Sequence, residues 1–327
     1  MSVSTAKMLV HGYGSIELDP VKVTDDLEQS TDYLKSRLYE LLDKKIIGKL
    51  DSNRAILGIP TARTFSRTFS LPVKEKTNLR DAVNLEVEQY IPMPLESLYV
   101  DYQIIKQTKD ELTILMCAAP QKMIDPLLTI TKECGIETAM IEPNMNAVAR
   151  LLKHTEEGSL PTVIVDIGPA TADIAILDSA IRVTGGLNIG GNTLTLDIAK
   201  KMDIPLETAH QLKVLNGLNA GPRQAKITAS LRPSLVRIAG EIKKVIRYYT
   251  DRFPNEPKLE QILIVGSGSN VPGLGEFFTN ELVMPARVAI PWQTVNFGDL
   301  TPPSKQLRPR FMTAAGLALV TPEEIWS

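Results

Sequence analysis

Residues 163–173 read Val163-Ile164-Val165-Asp166-Ile167-Gly168-Pro169-Ala170-Thr171-Ala172-Asp173. The β-branched run predicts a buried strand that delivers Asp166, and Gly168 allows the backbone to turn tightly before an antiparallel strand leaves. Backbone N–H groups in such a turn can hold an anion, Thr171 can add a hydroxyl, and the acid can hold hydrated Mg²⁺. An ordinary β-hairpin with an acid at its start is the alternative, and the turn alone leaves both open.

A second apolar strand near the end of the chain, Ile262–Val265, leads into a glycine-rich segment and then a helix. The segment contains Gly266, Gly268 and Gly273. Glycines let a ligand approach the backbone closely, and a helix N-terminus favours negative charge. The spacing differs from the dinucleotide-binding fingerprint, and no acid lies suitably downstream. A plain tight turn is as consistent with these residues as a ligand loop.

Two weaker signals lie between these segments and before them. Gly190 and Gly191 follow a strand end and precede a helix, which by itself indicates a glycine-permitted turn with an N-cap. Glu142 precedes a helix that starts beside Pro143, and acids are common near helix starts because of the helix dipole. Neither signal indicates a ligand site alone.

The second half of the chain is predicted to begin with a three-stranded meander and to continue mainly with helices. The strands are Thr162–Val165, Ala172–Leu177 and Ala180–Gly185. The helices that follow are Thr193–Met202, Leu206–Val214, Leu231–Phe253, Leu274–Leu282 and Phe311–Leu319.

The first half of the chain combines short strands with one long helix. Ala6–Val10 and Ser15–Leu18 are predicted strands around a glycine turn, and a helix is predicted from Asp25 to about Ile47. Arg54–Ile59 is a nearly continuous apolar run, typical of a buried strand, and Thr64–Leu71 is predicted as its antiparallel neighbour.

From Pro72 to Ile141 the pattern changes to helix, strand, strand, helix, strand, which indicates a compact inserted α+β subdomain. Its first helix, Lys74–Gln89, has an apolar stripe formed by Leu79, Val83, Val87 and Tyr90. We therefore predict four segments: 1–71 as the first part of lobe 1, 72–141 as the insertion, 142–160 as a connecting helix of lobe 1, and 161–327 as lobe 2.

Composition restricts the classes of function. The 327 residues include 36 Lys and Arg against 38 Asp and Glu, a net charge of −2, which excludes the basic surface of a nucleic-acid binder. Cys117 and Cys134 are too few for a disulfide framework, and three histidines argue against a histidine metal centre. Apolar runs fall short of the ~20 residues of a membrane helix, and Met1–Gly14 lacks the pattern of a signal peptide. We expect a cytoplasmic protein.

The order of these signals resembles the actin-like ATPase superfamily, which implies an α/β, bilobed, ribonuclease H-like fold. In this resemblance, Asp166, Gly168 and Thr171 match the second phosphate loop, and Asp166 would bind Mg²⁺ through water. Gly266, Gly268 and Gly273 match the adenosine loop. The Gly190-Gly191 turn, Glu241 and Lys244 complete the implied nucleotide site, with the last two where the family contacts ribose and adenine. Glu142 matches the acid that polarises the attacking water, and Phe311–Leu319 matches the second connecting helix.

Within the superfamily, the chain is most similar to the PilM family of type IV pilus assembly. The motif that carries this is Glu86-Val87-Glu88-Gln89-Tyr90-Ile91-Pro92-Met93-Pro94, followed by Tyr99-Val100-Asp101-Tyr102 and Ala314-Ala315-Gly316-Leu317-Ala318-Leu319. The resemblance implies a cytoplasmic scaffold of type IV pilus or type II secretion assembly. It would bind ATP with Mg²⁺ and the N-terminal peptide of an inner-membrane partner, PilN, with pilus assembly ATPases as further partners. Helix Thr77–Tyr90 is predicted to form part of the peptide groove.

The chain departs from the superfamily at its start. Such folds begin with a strand ending in Asp-x-Gly, the first phosphate loop, whereas the first aspartate here is Asp19. Two loops normally converge on the β- and γ-phosphates, so we expect at most a weak ATPase. A small-molecule kinase of the same superfamily is the alternative. A cell-division adaptor would need a C-terminal amphipathic helix, for which Val320–Ser327 is too short and too polar.

Overall fold

A computed structural model describes residues 1–4, 7–19, 22–23, 31–156, 158, 160–219, 221 and 224–325. The chain divides into two compact units. Unit 1 comprises residues 1–147, 293–302 and 313–327, and unit 2 comprises residues 148–292 and 303–312.

Strands and helices alternate through both units. The strands are β1 Ser2–Ser4, β2 Leu9–Gly14, β3 Ile46–Gly48, β4 Arg54–Ile59, β5 Phe65–Pro72, β6 Leu98–Gln107, β7 Glu111–Pro120, β8 Glu137–Pro143, β9 Thr162–Ile167, β10 Ala172–Asp178, β11 Ala180–Leu187, β12 Gln261–Val265 and β13 Ala286–Val288. The helices are α1 Asp32–Lys44, α2 Leu79–Tyr90, α3 Gln121–Glu133, α4 Asn144–Thr155, α5 Gly191–Met202, α6 Leu206–Leu215, α7 Gln224–Arg252, α8 Leu274–Leu282, α9 Met312–Leu317 and α10 Pro322–Ile325.

Unit 2 is built on one mixed sheet with the strand order β11-β10-β9-β12-β13. β9, β10 and β11 form the predicted antiparallel meander, while β12 joins β9 in parallel. A single apolar core fills the unit, because the buried faces of these strands pack against α7 and α8 through residues such as Ile238, Ile242 and Phe278. The short strand β13 has no counterpart in the sequence prediction.

Unit 1 contains three separate sheets among the described residues: β1-β2-β3, the parallel pair β4-β8, and the antiparallel sheet β5-β7-β6. The predicted pairing of Thr64–Leu71 with Arg54–Ile59 is therefore wrong. β5 pairs with β7 along its whole length, whereas β4 pairs with β8. The short 3₁₀ turn at Thr61–Arg63 carries the chain from one sheet to the other.

The start of the chain also differs from the prediction. Residues 11–14 are not a turn but lie inside β2, and Ser15–Leu18 is not a strand. Glycine is needed at position 12 because the neighbouring backbone passes very close, so that a Cβ there would overlap the carbonyl oxygen of Lys49. The predicted helix from Asp25 becomes α1 only from Asp32, and positions 24–30 lie outside the described residues.

The insertion has its own apolar core and spans a shorter stretch than predicted. This core joins β5, β6, β7 and α2, with Val83 and Val87 fully buried. Tyr90, predicted on the buried stripe, is 46% exposed and carries the guanidinium of Arg67 over its ring at 4.2 Å. A second cluster packs α3 against Ile59 of β4 and Ile141 of β8, so α3 and β8 belong with lobe 1.

The unit boundaries differ from the predicted lobes in two places. Unit 2 begins at Val148, inside α4, and not at residue 161, while residues 313–327 belong to unit 1. The second difference has a packing cause: α9 is held against the first turn of α4, where Gly316 faces the carbonyl group of Ala147. No helix in the described part of the chain is both long enough and apolar enough to cross a membrane.

Two glycine-to-alanine substitutions test this packing. A Cβ at Gly316 would overlap the carbonyl oxygen of Ala147, while a Cβ at Gly240 in α7 meets no atom within 4 Å. We expect Gly316→Ala to lower the free energy of unfolding by about 1–3 kcal/mol, because backbone atoms must move. Gly240→Ala should raise it by about 0.5–1 kcal/mol through helix propensity. Urea unfolding followed by circular dichroism measures both, and equal effects would contradict the close contact.

Candidate functional site

The carboxyl ends of β9 and β12 bring the two main sequence signals together. β12 runs parallel to β9, with Val265 beside Asp166. The loops that leave both strands therefore emerge at the same edge of the sheet, which is where open α/β sheets bind ligands. The hairpin turn is closed by the amide of Gly168, which donates to the carbonyl oxygen of Thr171 at 2.9 Å.

The backbone at Gly266 passes directly against Asp166. Gly266 has a φ of +82°, which favours glycine, and a Cβ there would overlap Oδ1 of Asp166. Gly268 lies against Ile167 in the same way, since a Cβ at Gly268 would overlap the Ile167 side chain. The structure thus places the predicted second phosphate loop and the predicted adenosine loop in direct contact.

The Gly190-Gly191 turn joins the same place. A Cβ at Gly190 would lie 2.6 Å from the carbonyl oxygen of Gly168, and one at Gly191 would lie 3.8 Å from the Cα of Gly268. The amide of Gly191 donates to that Gly168 carbonyl at 2.8 Å, and the amide of Asn192 donates to Pro169 at 2.8 Å. These amides hold the loops to one another, so the glycine pair fixes the shape of the site.

Two carboxylates face each other across the β9–β10 pair. Asp166 and Asp173 are direct partners in the antiparallel register. Burial and, second, the charge of Asp173 raise the pKa of Asp166 to about 7. Burial also raises the pKa of Asp173, while a hydrogen bond from the Thr171 hydroxyl, 3.5 Å from Oδ2, acts the other way.

This acidic pair fits a cation. Oδ1 of Asp173 is buried and has no hydrogen-bond partner among the residues that the structure describes. A bound cation would satisfy that oxygen and restore the charged form of both acids. The described residues contain no group of three or more His, Cys, Asp or Glu side chains that could hold a metal ion. Two carboxylates suit Mg²⁺ that keeps water and phosphate oxygens as its other ligands.

Lys213 is a site residue that the sequence reasoning missed. Its side chain on α6 is buried, and Nζ donates to the carbonyl oxygen of Gly191 at 2.7 Å and to the hydroxyl of Thr195 at 2.8 Å. Burial lowers the pKa of Lys213 to about 8. The signal was a lysine four residues after Ala209, which places both on the inner face of a short helix.

Further positive groups gather around the inner end of α6. The pKa of His210 is lowered by burial first, and then by the charges of Lys213 and Arg310. Asn270, just beyond Gly268, donates from its side chain to the carbonyl oxygen of Gln306 at 3.0 Å. The site thus combines two acids from the sheet with cationic groups from a helix, a combination suited to a metal-bound anion.

Three other predicted residues do not join this cluster directly. Glu241 and Lys244 form an ion pair of 2.8 Å on α7, where Glu241 lies beside Gly185 of the edge strand β11, about 10 Å from β9. Gly273, with a φ of +79°, packs against Leu218 and Asn219 at the start of α8. Their assignment to ribose and adenine stays a prediction.

Glu142 belongs to unit 1. It lies on β8 opposite Gly58 and is 3% exposed. Its predicted action on an attacking water also stays a prediction.

The sequence matches the model of one protein family over residues 2–321, described as type IV pilus assembly protein PilM. A solved structure titled PilM-PilN type IV pilus biogenesis complex is similar with a TM-score of 0.73 and 22% identity. The match covers 89% of this chain and 85% of that chain. This likeness confirms the predicted α/β, actin-like fold.

Curated relatives include cell division proteins FtsA. The protein from Neisseria meningitidis serogroup B is 26% identical over 212 residues, which is 57% of this chain and 49% of that protein. The protein from Pseudomonas aeruginosa is 26% identical over 212 residues, with 58% and 48% covered. The chain thus spans about half the length of the curated relatives it matches.

The raised pKa of Asp166 predicts a pH dependence of stability. The pKa is about 7 in the folded protein and 3.8 as a reference value, so the folded state binds more protons than the unfolded state between these values. Stability from this group is therefore lost as the pH rises from 4 to 7. We expect the Tm advantage of Asp166→Asn over the wild type to grow across this window and to level off above pH 7. A difference that stays constant from pH 4 to pH 8 would contradict the assignment.

Proposed function

This chain belongs to the type IV pilus assembly protein PilM family, and we propose that it is an assembly scaffold that binds ATP with Mg²⁺ and a peptide of an inner-membrane partner. The observation that carries the nucleotide part is the convergence of Gly168, Gly191 and Gly268 beside Lys213. Three close backbone approaches, a buried ammonium and two facing acids are what a triphosphate and its cation need.

In this proposal each group has a distinct task. The acids Asp166 and Asp173 hold the cation, which supplies positive charge against the phosphates. Lys213 supplies a second, fixed positive charge, and its lowered pKa reflects the cost of burying that charge without an anion. Glu142 would orient a water molecule for slow hydrolysis. With one phosphate loop expected from the sequence, the protein acts mainly as a nucleotide-dependent binder and at most as a weak ATPase.

The partner would bind at the surface of the insertion. Leu85 on α2 is 59% exposed, and Tyr90 at its end and Tyr99 on β6 are each 46% exposed. Exposed aromatic and aliphatic side chains around an arginine are typical of sites that bind a short peptide. The similar solved structure is a complex of a PilM with PilN, which supports the N-terminal cytoplasmic peptide of a PilN-like protein as the ligand. Such a partner would recruit the chain to the inner face of the inner membrane.

Nucleotide binding can be tested with a fluorescent ATP analogue and Mg²⁺. We expect Asp166→Ala and Lys213→Met each to weaken binding by about tenfold or more, since each removes a charged contact. Lys200→Met, the same change at an exposed position of α5, is the matched control and should bind like the wild type. Equal affinities of the wild type, Asp166→Ala and Lys213→Met would remove both residues from the site.

Partner binding can be tested with a synthetic peptide that carries the N-terminal cytoplasmic residues of the PilN-like partner. We expect Leu85→Asp to reduce the affinity about tenfold, because a charge replaces an apolar anchor. Val283→Asp changes a 92% exposed residue of unit 2 and should leave the affinity unchanged. Undetectable binding to the wild type by isothermal titration would argue against the peptide part of the proposal.

A further inference from the structure

Two sheets of unit 1 end in free edges that line one cavity. Among the described strands, β1 pairs only with β2, and β4 pairs only with β8. Residues 1–3 at β1 and residues 54–57 of β4 both line a cavity of about 430 Å³. Unpaired strand edges present rows of backbone donors and acceptors that another strand can satisfy.

The remaining walls of this cavity are mainly aliphatic. α1 contributes Leu38, Leu41 and Leu42, while α9 and the residue after it contribute Ala314, Leu317 and Ala318. The two alanines are small and four positions apart, so they leave room on one face of their helical segment. An occupant of this cavity would bury apolar surface while its backbone meets the strand edges.

The sequence of the cavity walls suits an environment more buried than the one the structure gives it. Arg54–Ile59 has the apolar run of a buried strand, yet Ala55, Ile56, Leu57 and Gly58 are only partly buried. α1 has leucines at three- and four-residue spacing, yet none of its residues is fully buried. Both elements have apolar surface to cover, and both face the same cavity.

We propose that this cavity is a docking slot for an extended, uncharged aliphatic segment of a partner polypeptide, which adds a strand at the free edges of β1 and β4. Strand addition of this kind obtains affinity from main-chain hydrogen bonds and specificity from pockets for alternate side chains. Four residues of β4 line the slot, which corresponds to a bound core of about four or five residues at ~3.3 Å each.

The charges at the slot explain why the occupant is uncharged. Asp51 and Arg54 are its charged lining residues. Asp51 pairs with His11 at 2.6 Å, and Arg54 pairs with Glu137 at 3.3 Å. Since both have partners already, the slot offers no counter-charge to a charged side chain. The proposal is independent of the nucleotide site, whose loops belong to unit 2.

The test uses the whole protein and a fluorescein-labelled peptide with a core of five alternating valines and alanines between lysines. We expect saturable binding by anisotropy, and at least about tenfold slower amide hydrogen exchange at residues 55–58. The same peptide with a central proline should fail to bind, because proline removes a ladder donor. Since this comparison uses wild-type protein, it does not depend on the folding of any variant.

Ala318→Trp fills the slot and should abolish peptide binding, while Ala62→Trp, at an exposed position of unit 1, should not. Three results would overturn the proposal. These are unchanged exchange at residues 55–58, equal binding of the proline peptide, and self-association in analytical ultracentrifugation that Ala318→Trp removes. The last result would mean that a second copy of the chain occupies the slot.

Discussion

The parallel pairing of β9 with β12 is the constraint on which the candidate site depends. These strands lie about a hundred residues apart in the chain, and their pairing places Asp166 beside Val265. Both loops then leave the sheet at one edge, where Gly266 must lack a side chain because Asp166 occupies the space. The register of this pair therefore determines which backbone atoms and which acid can face a common ligand.

The charges gathered at this edge are held at a cost. Burial raises the pKa of Asp166 and Asp173 and lowers that of Lys213, so all three groups are less readily charged than in water. Oppositely perturbed groups in one place indicate a function, because packing alone would favour apolar side chains there. A ligand that brings both a cation and an anion would stabilise the charged form of every member.

Unit 1 presents a different kind of surface. Its insertion closes its own core between α2 and the β5-β7-β6 sheet, and it exposes Leu85 and Tyr90 outside that core. The pair β4-β8, in contrast, leaves one strand edge and the apolar face of α1 partly uncovered. Nucleotide chemistry is thus confined to residues of unit 2, apart from Glu142, whereas the peptide-binding surfaces belong to unit 1.

The sequence by itself determined the strands around Asp166, the glycine segments, the insertion helix and the family, because local periodicity and short motifs encode them. Only the tertiary structure decided that β4 pairs with the distant β8, and that Lys213 reaches Gly191 while Glu241 lies beside β11. The physical reason is that strand pairing and the burial of a single lysine depend on contacts between distant segments. An apolar run or an isolated charge looks the same in the sequence whichever partner it meets.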